Sequence, residues 1–174
     1  MKKLSLIIFI FCLFVLTSNS VEKKLEIPKE SIRFRVIANS NSKEDQSTKE
    51  LVKEAVQEEL YNSIKDSEDI EEARRITTTK LPEYRHLVEQ ALGKTDNKFT
   101  IDYGLNYFPE KMYNGIYYPS GRYESLVITL GEGQGDNWWC VLFPPLCLLE
   151  ATESGNSEDI EYSFFFQEIL EKYF

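Results

Sequence analysis

Residues 131–147 read GEGQGDNWWCVLFPPLC. Three glycines alternate with polar residues in the first part of this stretch, and glycine permits backbone conformations closed to other residues. The spacing GxGxG is not the GxGxxG of a dinucleotide-binding loop, and no Lys-Ser/Thr pair follows, so an exposed turn is favoured over a phosphate site. The continuous apolar run at 138–143 predicts a strand that is buried on both faces.

The adjacent residues Trp138 and Trp139 begin that strand. Neighbouring side chains of a strand point to opposite faces of the sheet. We therefore expect one tryptophan to anchor the core and the other to present an aromatic face beside the turn. Gln134 and Asp136 are expected to be the exposed polar tips of the turn.

Further strands and a first helix are indicated by the spacing of apolar residues. Alternation of apolar and polar residues predicts a strand at 32–38 and a half-buried strand at 99–107, and a further strand is predicted at 123–130. Helical spacing begins after the first of these strands and continues to about residue 64. Ser42, with Asp45 three residues later, forms a capping-box pattern at the start of this helix.

A second helical stretch follows, for which Ser67 is the predicted N-cap and Pro82 an interruption or the start of a third helix. The C-terminal segment has the apolar spacing of an amphipathic helix, with Tyr162, Phe165, Phe166, Ile169, Leu170 and Tyr173 on one face. Helices segregated from strands indicate the α+β class. We expect a small, mostly antiparallel sheet, a helical hairpin or bundle, and the C-terminal amphipathic helix packed on the sheet.

Residues 1–20 have the composition of a secretory signal peptide. Two lysines precede a run at 4–16 that is apolar except for Ser5, and small polar residues follow. A run of this length is short for a membrane span, which needs roughly 20 residues. An uncleaved anchor, and transient membrane anchoring through residues 4–16, stay open. Residues 21–30 are predicted to be a polar tether and residues 31–174 a single α+β domain.

The chain is acidic, with a formal net charge of −9. Residues 1–20 contribute two lysines and no acidic residue, so the remainder is more acidic still. An acidic domain is a poor ligand for nucleic acid and for anionic lipid surfaces. We therefore expect no nucleic-acid partner.

Two cysteines, Cys140 and Cys147, remain beyond the predicted signal peptide. An even number of cysteines in an exported domain favours a disulfide. The small loop that it closes would contribute about 2 kcal/mol in the chain-entropy model. Two reduced, buried thiols are the alternative.

The sequence shows no recognisable catalytic or metal-binding pattern. His86 is the only histidine, and nothing near it in sequence completes a catalytic arrangement. The spacing of the two cysteines does not fit most structural zinc sites. Asn39, Asn41 and Asp45 resemble part of a calcium loop, but Lys43 takes a ligand position and the central glycine is missing. We expect no catalytic residues, no cofactor, no metal and no small-molecule substrate.

Glu124, Glu132 and Asp136 supply the best enzymatic alternative. Two carboxylates that flank a glycosidic bond can hydrolyse it, and tryptophan rings can stack on sugars. An exported cell-wall glycoside hydrolase, or a sugar-binding module that uses these acids with Trp138 and Trp139, therefore stays open. A hydrolase needs its two carboxyl groups about 5–10 Å apart and facing one groove.

Three segments together resemble the stage II sporulation protein R family of endospore-forming bacteria. They are RVIANSNSKEDQSTKELVKEAV at 35–56, YYPSGRYESLVITLGEGQGDNWW at 117–139 and CVLFPPLC at 140–147. The run NWWCVLFPPLC is long and unusual enough to be specific for the family. Asn41 stands where we expect an aspartate in this family, and Ser120 stands where alanine is usual.

The resemblance implies a signalling protein and not an enzyme. Such a protein is made in the forespore and exported into the space between the forespore and mother-cell membranes. There it activates a membrane-embedded aspartic protease, stage II sporulation protein GA, which cleaves the precursor of sigma factor E. The family has no catalytic residues that could be carried over to this chain.

The residues expected to contact that protease lie in two polar loops and in the tryptophans that follow the second loop. One loop contains residues 39–45 and the other residues 131–137. The candidates are Asn39, Ser40, Asn41, Asp45, Gln134, Asp136, Asn137, Trp138 and Trp139. The sequence leaves open which of the two loops makes the contact.

Overall fold

A computed structural model of the chain describes residues 25–93, 98–113, 116–147, 168–169 and 171–173. Its elements follow in the order β1 (Leu25–Glu26), β2 (Ile32–Ile37), α1 (Lys43–Ile64), α2 (Ile70–Thr79), α3 (Leu81–Leu92), β3 (Phe99–Phe108), β4 (Lys111–Tyr113), β5 (Ile116–Tyr118), β6 (Gly121–Leu130) and β7 (Asn137–Phe143). The segregation of helices from strands confirms the α+β class. The predicted signal peptide lies outside the described residues.

Strands β3, β6, β2 and β7 form the main sheet, in that order. Both outer pairs are antiparallel, but β2 and β6 run parallel. A parallel pair needs a long crossover connection, which helices α1 to α3 and strand β3 supply here. The sheet is therefore mixed and not purely antiparallel, because the alternation within a single strand does not reveal which neighbour it pairs with.

A second sheet of three short strands has the order β1-β5-β4. It occupies part of the predicted polar tether at 21–30 and of a Tyr-, Pro- and Gly-rich connection that follows β3. Strand β1 pairs with β5, and Ile27 is fully buried. Ile27, Ile116 and Tyr118 pack with side chains on the face of the main sheet that the helices leave open. Burial of these apolar groups makes β1 part of the folded domain, in contrast to a tether.

Local hydrogen bonds set the helix ends. Ser42 caps α1 by accepting a hydrogen bond from the Asp45 backbone N–H at 3.1 Å, as predicted. The N-cap of α2 is Asp69, whose carboxylate accepts from the Glu72 N–H at 2.8 Å. The prediction of Ser67 as this cap was wrong: Ser67 is buried, and a carboxylate is a strong acceptor at a helix N-terminus.

The main core lies between the three helices and one face of the main sheet. Its fully buried side chains include Phe34, Val36, Val56, Leu60, Tyr84, Val88, Leu126 and Ile128. Strand β7 is buried on both faces, as predicted, since Leu142 faces this core and Val141 packs in the second cluster. A disulfide joins Cys140 to Cys147, whose Cα atoms lie 5.1 Å apart.

The described fragments of the C-terminal segment are helical and contact the domain. Tyr173 lies edge-on to Phe143, with ring centroids 4.9 Å apart. Ile169 packs against the second cluster of apolar residues. The remaining apolar residues of the predicted C-terminal helix, at positions 162, 165, 166 and 170, lie outside the part of the chain whose side chains are described.

Strand β2 directs Arg33 to the face of the main sheet opposite the helices, where the side chain is fully buried. Its Cζ atom lies 3.4 Å from the ring centroid of Tyr123, 4.9 Å from that of Phe108 and 4.8 Å from that of Trp139. Among the described residues no carboxylate pairs with it, and Nε and Nη1 have no hydrogen-bond partner. Burial lowers the pKa of Arg33 to about 10. The group is therefore still protonated at neutral pH, and cation–π contacts together with a long hydrogen bond from Nη2 to Pro119 O at 3.5 Å take the place of water.

Arg33→Met should leave the free energy of unfolding unchanged or higher, because methionine fills much of the site without burying an unpaired charge. Arg33→Ala should lower that free energy by about 2–5 kcal/mol, the range for large buried side chains replaced by alanine. Denaturant unfolding of both variants measures the difference. A methionine variant as unstable as the alanine variant would show that the guanidinium itself stabilises the fold.

Candidate functional site

The topology of the main sheet brings the two polar loops together. Strands β2 and β6 run parallel, so their C-terminal ends lie at the same end of the sheet. Strand β7 is antiparallel to β2 and begins at that end, with Asn137 opposite Ile37. The loop after β2 (39–45) and the loop between β6 and β7 (131–137) therefore emerge side by side. We call this pair of loops the two-loop surface.

Asn39 joins the two loops. Its side-chain Oδ1 accepts the backbone N–H of Glu132 at 3.0 Å, and its backbone oxygen accepts the N–H of Gln134 at 3.0 Å. Its Nδ2 donates to Asp45 Oδ2 at 3.0 Å. The amide side chain of Asn39 thus bonds to the second loop through its acceptor oxygen and to the first turn of α1 through its donor nitrogen. A side chain in this position needs both a donor and an acceptor.

Asn41 makes a second link between the loops. Its Oδ1 accepts the backbone N–H of Asp136 at 2.6 Å and the side-chain Nε2 of Gln46 at 3.3 Å. Gln46 also donates to the backbone oxygen of Ser40 at 3.0 Å. Gln46 was not among the residues predicted from the sequence. Gln46 could have been identified from its position: it is an amide in the first turn of a helix that follows an Asn- and Ser-rich loop.

The carboxylate of Asp45 holds the first loop against α1. Ser40 Oγ and Asn39 Nδ2 both donate to its Oδ2 atom, and these hydrogen bonds lower the pKa of Asp45. Hydrogen bonds to the charged form of a carboxylate favour that form. Asp45 is therefore ionised at neutral pH, and its support of the loop is lost as the pH falls through the lowered pKa.

Two glycines permit this close approach of the loops. Gly131 has a φ of 55°, and a Cβ atom there would lie 2.2 Å from Asn39 Oδ1. A Cβ atom at Gly135 would lie 2.3 Å from the backbone oxygen of Ser40 and 2.9 Å from Ala38 Cβ. Backbone atoms cannot move aside as the end of a side chain can. The glycines of the GEGQG pattern thus serve loop packing, as expected for a turn and not for a phosphate site.

The polar tips of the two-loop surface face solvent. Gln134, Asp136 and Asn137 are exposed, as predicted for the first two. Trp138 is half-buried beside them, and its ring lies edge-on to Phe34 with centroids 5.8 Å apart. The surface therefore combines exposed hydrogen-bonding groups with part of one aromatic ring.

Trp139 does not belong to the two-loop surface. It points to the other face of β7 and packs edge-on against Phe108 and Tyr118, at centroid distances of 5.3 and 5.5 Å. Only 7% of its surface is exposed. The expected division between one core tryptophan and one near the turn is therefore seen, with Trp139 in the core and Trp138 near the turn.

Glu124 lies far from the other two acids considered for glycoside hydrolysis. Glu124 lies near the start of β6, whereas Glu132 and Asp136 follow the end of that strand, roughly 20 Å away at about 3.3 Å per residue. Arg74 donates to both oxygens of Glu124 at 2.6 and 2.8 Å, and Tyr103 Oη donates at 2.8 Å. Burial alone would raise the pKa of Glu124, but these hydrogen bonds outweigh it and lower the pKa. A carboxylate held ionised in this way is unsuited to act as a general acid.

Other chemistry is equally unsupported within the described part of the chain. It contains no group of three or more His, Cys, Asp and Glu side chains that could hold a metal ion. His86 is exposed on α3, where its Nε2 lies 3.0 Å from Gln90 Nε2. Among the same residues, none of the helices has the length and apolar character needed to cross a membrane.

Gly135→Ala should separate the two loops, because the added methyl group meets the backbone of the first loop. We expect the free energy of unfolding to fall by about 1–3 kcal/mol, and hydrogen exchange at the Asp136 amide to become faster. Gly104→Ala is the matched control, since a Cβ atom there meets only Asp102 Oδ2, at 3.8 Å. Its stability should change by no more than about 1 kcal/mol. Equal stability of the two variants in denaturant unfolding would contradict the close approach of the loops.

Comparison with known proteins identifies the family. A family model described as Stage II sporulation protein R matches residues 28–153. The curated protein Stage II sporulation protein R of Bacillus subtilis (strain 168) is 43% identical over 133 residues, which cover 75% of this chain and 59% of that protein. The match thus spans less than two thirds of the relative's own length. No solved structure matches the chain. With most of its length matched in both comparisons, the chain belongs to the stage II sporulation protein R family.

Proposed function

We propose that this protein is an exported intercellular signal of sporulation that activates a membrane-embedded aspartic protease, stage II sporulation protein GA. The activated protease would then process the precursor of sigma factor E. Membership of the stage II sporulation protein R family supports the role in sporulation. The composition of residues 1–20 supports export into the space between the forespore and mother-cell membranes.

The construction of the two-loop surface is the observation that carries the proposal. Hydrogen bonds from Asn39 and Asn41 hold its backbone, while Gln134, Asp136 and Asn137 are exposed. A loop that is ordered before binding loses little conformational entropy when a partner docks. This arrangement favours recognition of another protein over catalysis.

Trp138 adds an apolar element to the two-loop surface. Its ring is half-buried against Phe34, and Lys53 Nζ lies 5.4 Å from its centroid. Aromatic side chains surrounded by polar groups are common at the centre of protein interfaces. A partner that covers the exposed part of this ring would gain about 25 cal/mol for each Å² of apolar surface buried.

The described residues give the glycoside hydrolase and sugar-binding alternatives no support. Glu124 is paired with Arg74 near the start of β6, far from the acids of the second loop. Trp138 and Trp139 point to opposite faces of β7, so they cannot form one sugar-stacking platform. The signalling function is therefore the one we retain.

Reconstitution tests the proposed function. The full chain is added to membrane vesicles that carry the protease and its sigma-factor precursor, and precursor cleavage is measured. The double variant Gln134→Ala, Asp136→Ala should stay folded, because surface changes usually alter stability by no more than about 0.5 kcal/mol. The loss of contacts worth about 1 kcal/mol or more should reduce its apparent affinity at least about fivefold.

The matched control is the double variant Asn62→Ala, Asp66→Ala. It removes the same two kinds of exposed side chain near the C-terminal end of α1, roughly 30 Å along the helix from the two-loop surface. With this control variant, the protease should cleave the precursor as it does with the natural chain. Full precursor cleavage by the protease in the presence of a folded Gln134→Ala, Asp136→Ala variant would exclude these side chains as the contact. No cleavage in the presence of the natural chain would contradict the proposed function.

A further inference from the structure

Strand β3 forms one edge of the main sheet. Its pairing with β6 is continuous over all ten residues. The Gly131 N–H donates to Lys98 O at 2.7 Å, so residue 98 directs its carbonyl towards β6. Backbone groups alternate in direction along an antiparallel strand. The odd-numbered residues of β3 therefore direct their N–H and C=O groups away from β6, to the outer edge of the sheet.

Two arginines cover the C-terminal half of this edge. Arg122 Nη2 donates to Leu105 O at 3.2 Å, and Arg35 Nη2 donates to Tyr107 O at 3.0 Å. The described residues provide no hydrogen-bond partner for the outward backbone groups of residues 99–103. An unpaired edge of this kind is a template for the addition of another strand.

A groove of about 420 Å³ lies between α3 and the unpaired half of β3. The residues that line it are Leu81, Pro82, Arg85, His86 and Glu89 of α3 and Ile101 of β3. Leu81 and Ile101 are half-buried, and the other four are exposed. A helix beside an unpaired strand can hold an extended peptide, which bonds to the strand through its backbone and places alternate side chains in the groove.

Arg85 supplies the groove with a positively charged group. Its side chain is exposed, its Cζ lies 5.5 Å from the ring centroid of Phe99, and no carboxylate among the described residues pairs with it. Glu89, on the same wall, lies 3.9 Å from His86 Nδ1. An exposed, unpaired guanidinium is the group best suited to bind a carboxylate in two hydrogen bonds.

The groove adjoins the two-loop surface. The hydrogen bond between Lys98 and Gly131 joins the start of β3 to the start of the second loop. Residues 99–103 therefore lie at the same end of the domain as the two loops. A partner that contacts the loops can reach the unpaired edge without crossing the domain.

We propose that residues 99–103 pair with an extended segment of the membrane protease, which places an apolar side chain in the groove and a carboxylate on Arg85. The identity of this partner rests on the proposed function. Arginines already donate to the carbonyl groups of Leu105 and Tyr107, so pairing with a second copy of this chain would be confined to residues 99–103.

Site-specific photo-crosslinking in cells that produce the full chain, the protease and the precursor tests this proposal. A photoreactive amino acid replaces Glu89 on the groove, or Glu58 on the exposed side of α1 as a control. We expect an adduct with the protease from position 89 and none from position 58. Precursor cleavage is recorded in the same cells as a separate readout.

Two pairs of variants examine the mode of binding. Ile101→Pro removes an outward N–H and should abolish the adduct, because proline is tolerated on an edge strand but cannot donate to an added one. Ile101→Thr keeps the N–H and should retain the adduct. Arg85→Glu should reduce the adduct at least fivefold, whereas Arg75→Glu on α2 should leave it unchanged. If Ile101→Pro does not fold, Arg85→Glu and its control Arg75→Glu still test whether the groove binds the protease.

The two readouts separate the two proposals. Cleavage without an adduct from position 89 overturns the groove and leaves the proposed function standing. An adduct that is sensitive to Arg85→Glu, without cleavage, supports the groove and contradicts the proposed function. An adduct with a second copy, or with the chain's own residues 148–167, overturns the assignment of the groove to the protease.

Discussion

The buried guanidinium of Arg33 is the constraint on which the rest of the structure depends. It is enclosed by the rings of Tyr123, Phe108 and Trp139, with no carboxylate partner among the described residues. Because strand side chains alternate between faces, a slip of β2 by one residue would move Arg33 into the main core and Phe34 out of it. A charge placed among aliphatic side chains would cost several kcal/mol. The register of β2 against β6 and β7 is therefore firmly set, and the second sheet is needed to cover the aromatic layer.

That register determines where the two-loop surface and the groove beside α3 lie. With Ile37 opposite both Thr129 and Asn137, the chain leaves β2 beside the loop that connects β6 to β7. Asn39 then accepts a hydrogen bond from the backbone of Glu132, which joins the two loops into one surface. The continuous pairing of β3 with β6 places the start of β3 at the same end. The two-loop surface and the groove beside α3 are thus neighbours because of how the strands pair.

The sequence contained the local signals of this fold but few of its long-range pairings. The Ser42 cap, the apolar run at 138–143 and the even number of cysteines sufficed to predict the start of α1, strand β7 and the disulfide. The parallel pairing of β2 with β6 has no local signature. The strands of the second sheet are only two or three residues long, too short to show a period. The two loops were predicted as alternative contact sites because Asn39 and Glu132 lie 93 positions apart in the chain.

Hydrogen exchange of the full chain, measured alone and in the presence of membranes that carry the protease, is the most direct test of the central claim that residues 39–45 and 131–137 act as one contact surface. Since side chains of the first loop bond to the backbone of the second, exchange should slow in both loops together when the protease is present. Unchanged exchange in both loops, with slower exchange confined to other parts of the domain, would contradict the claim.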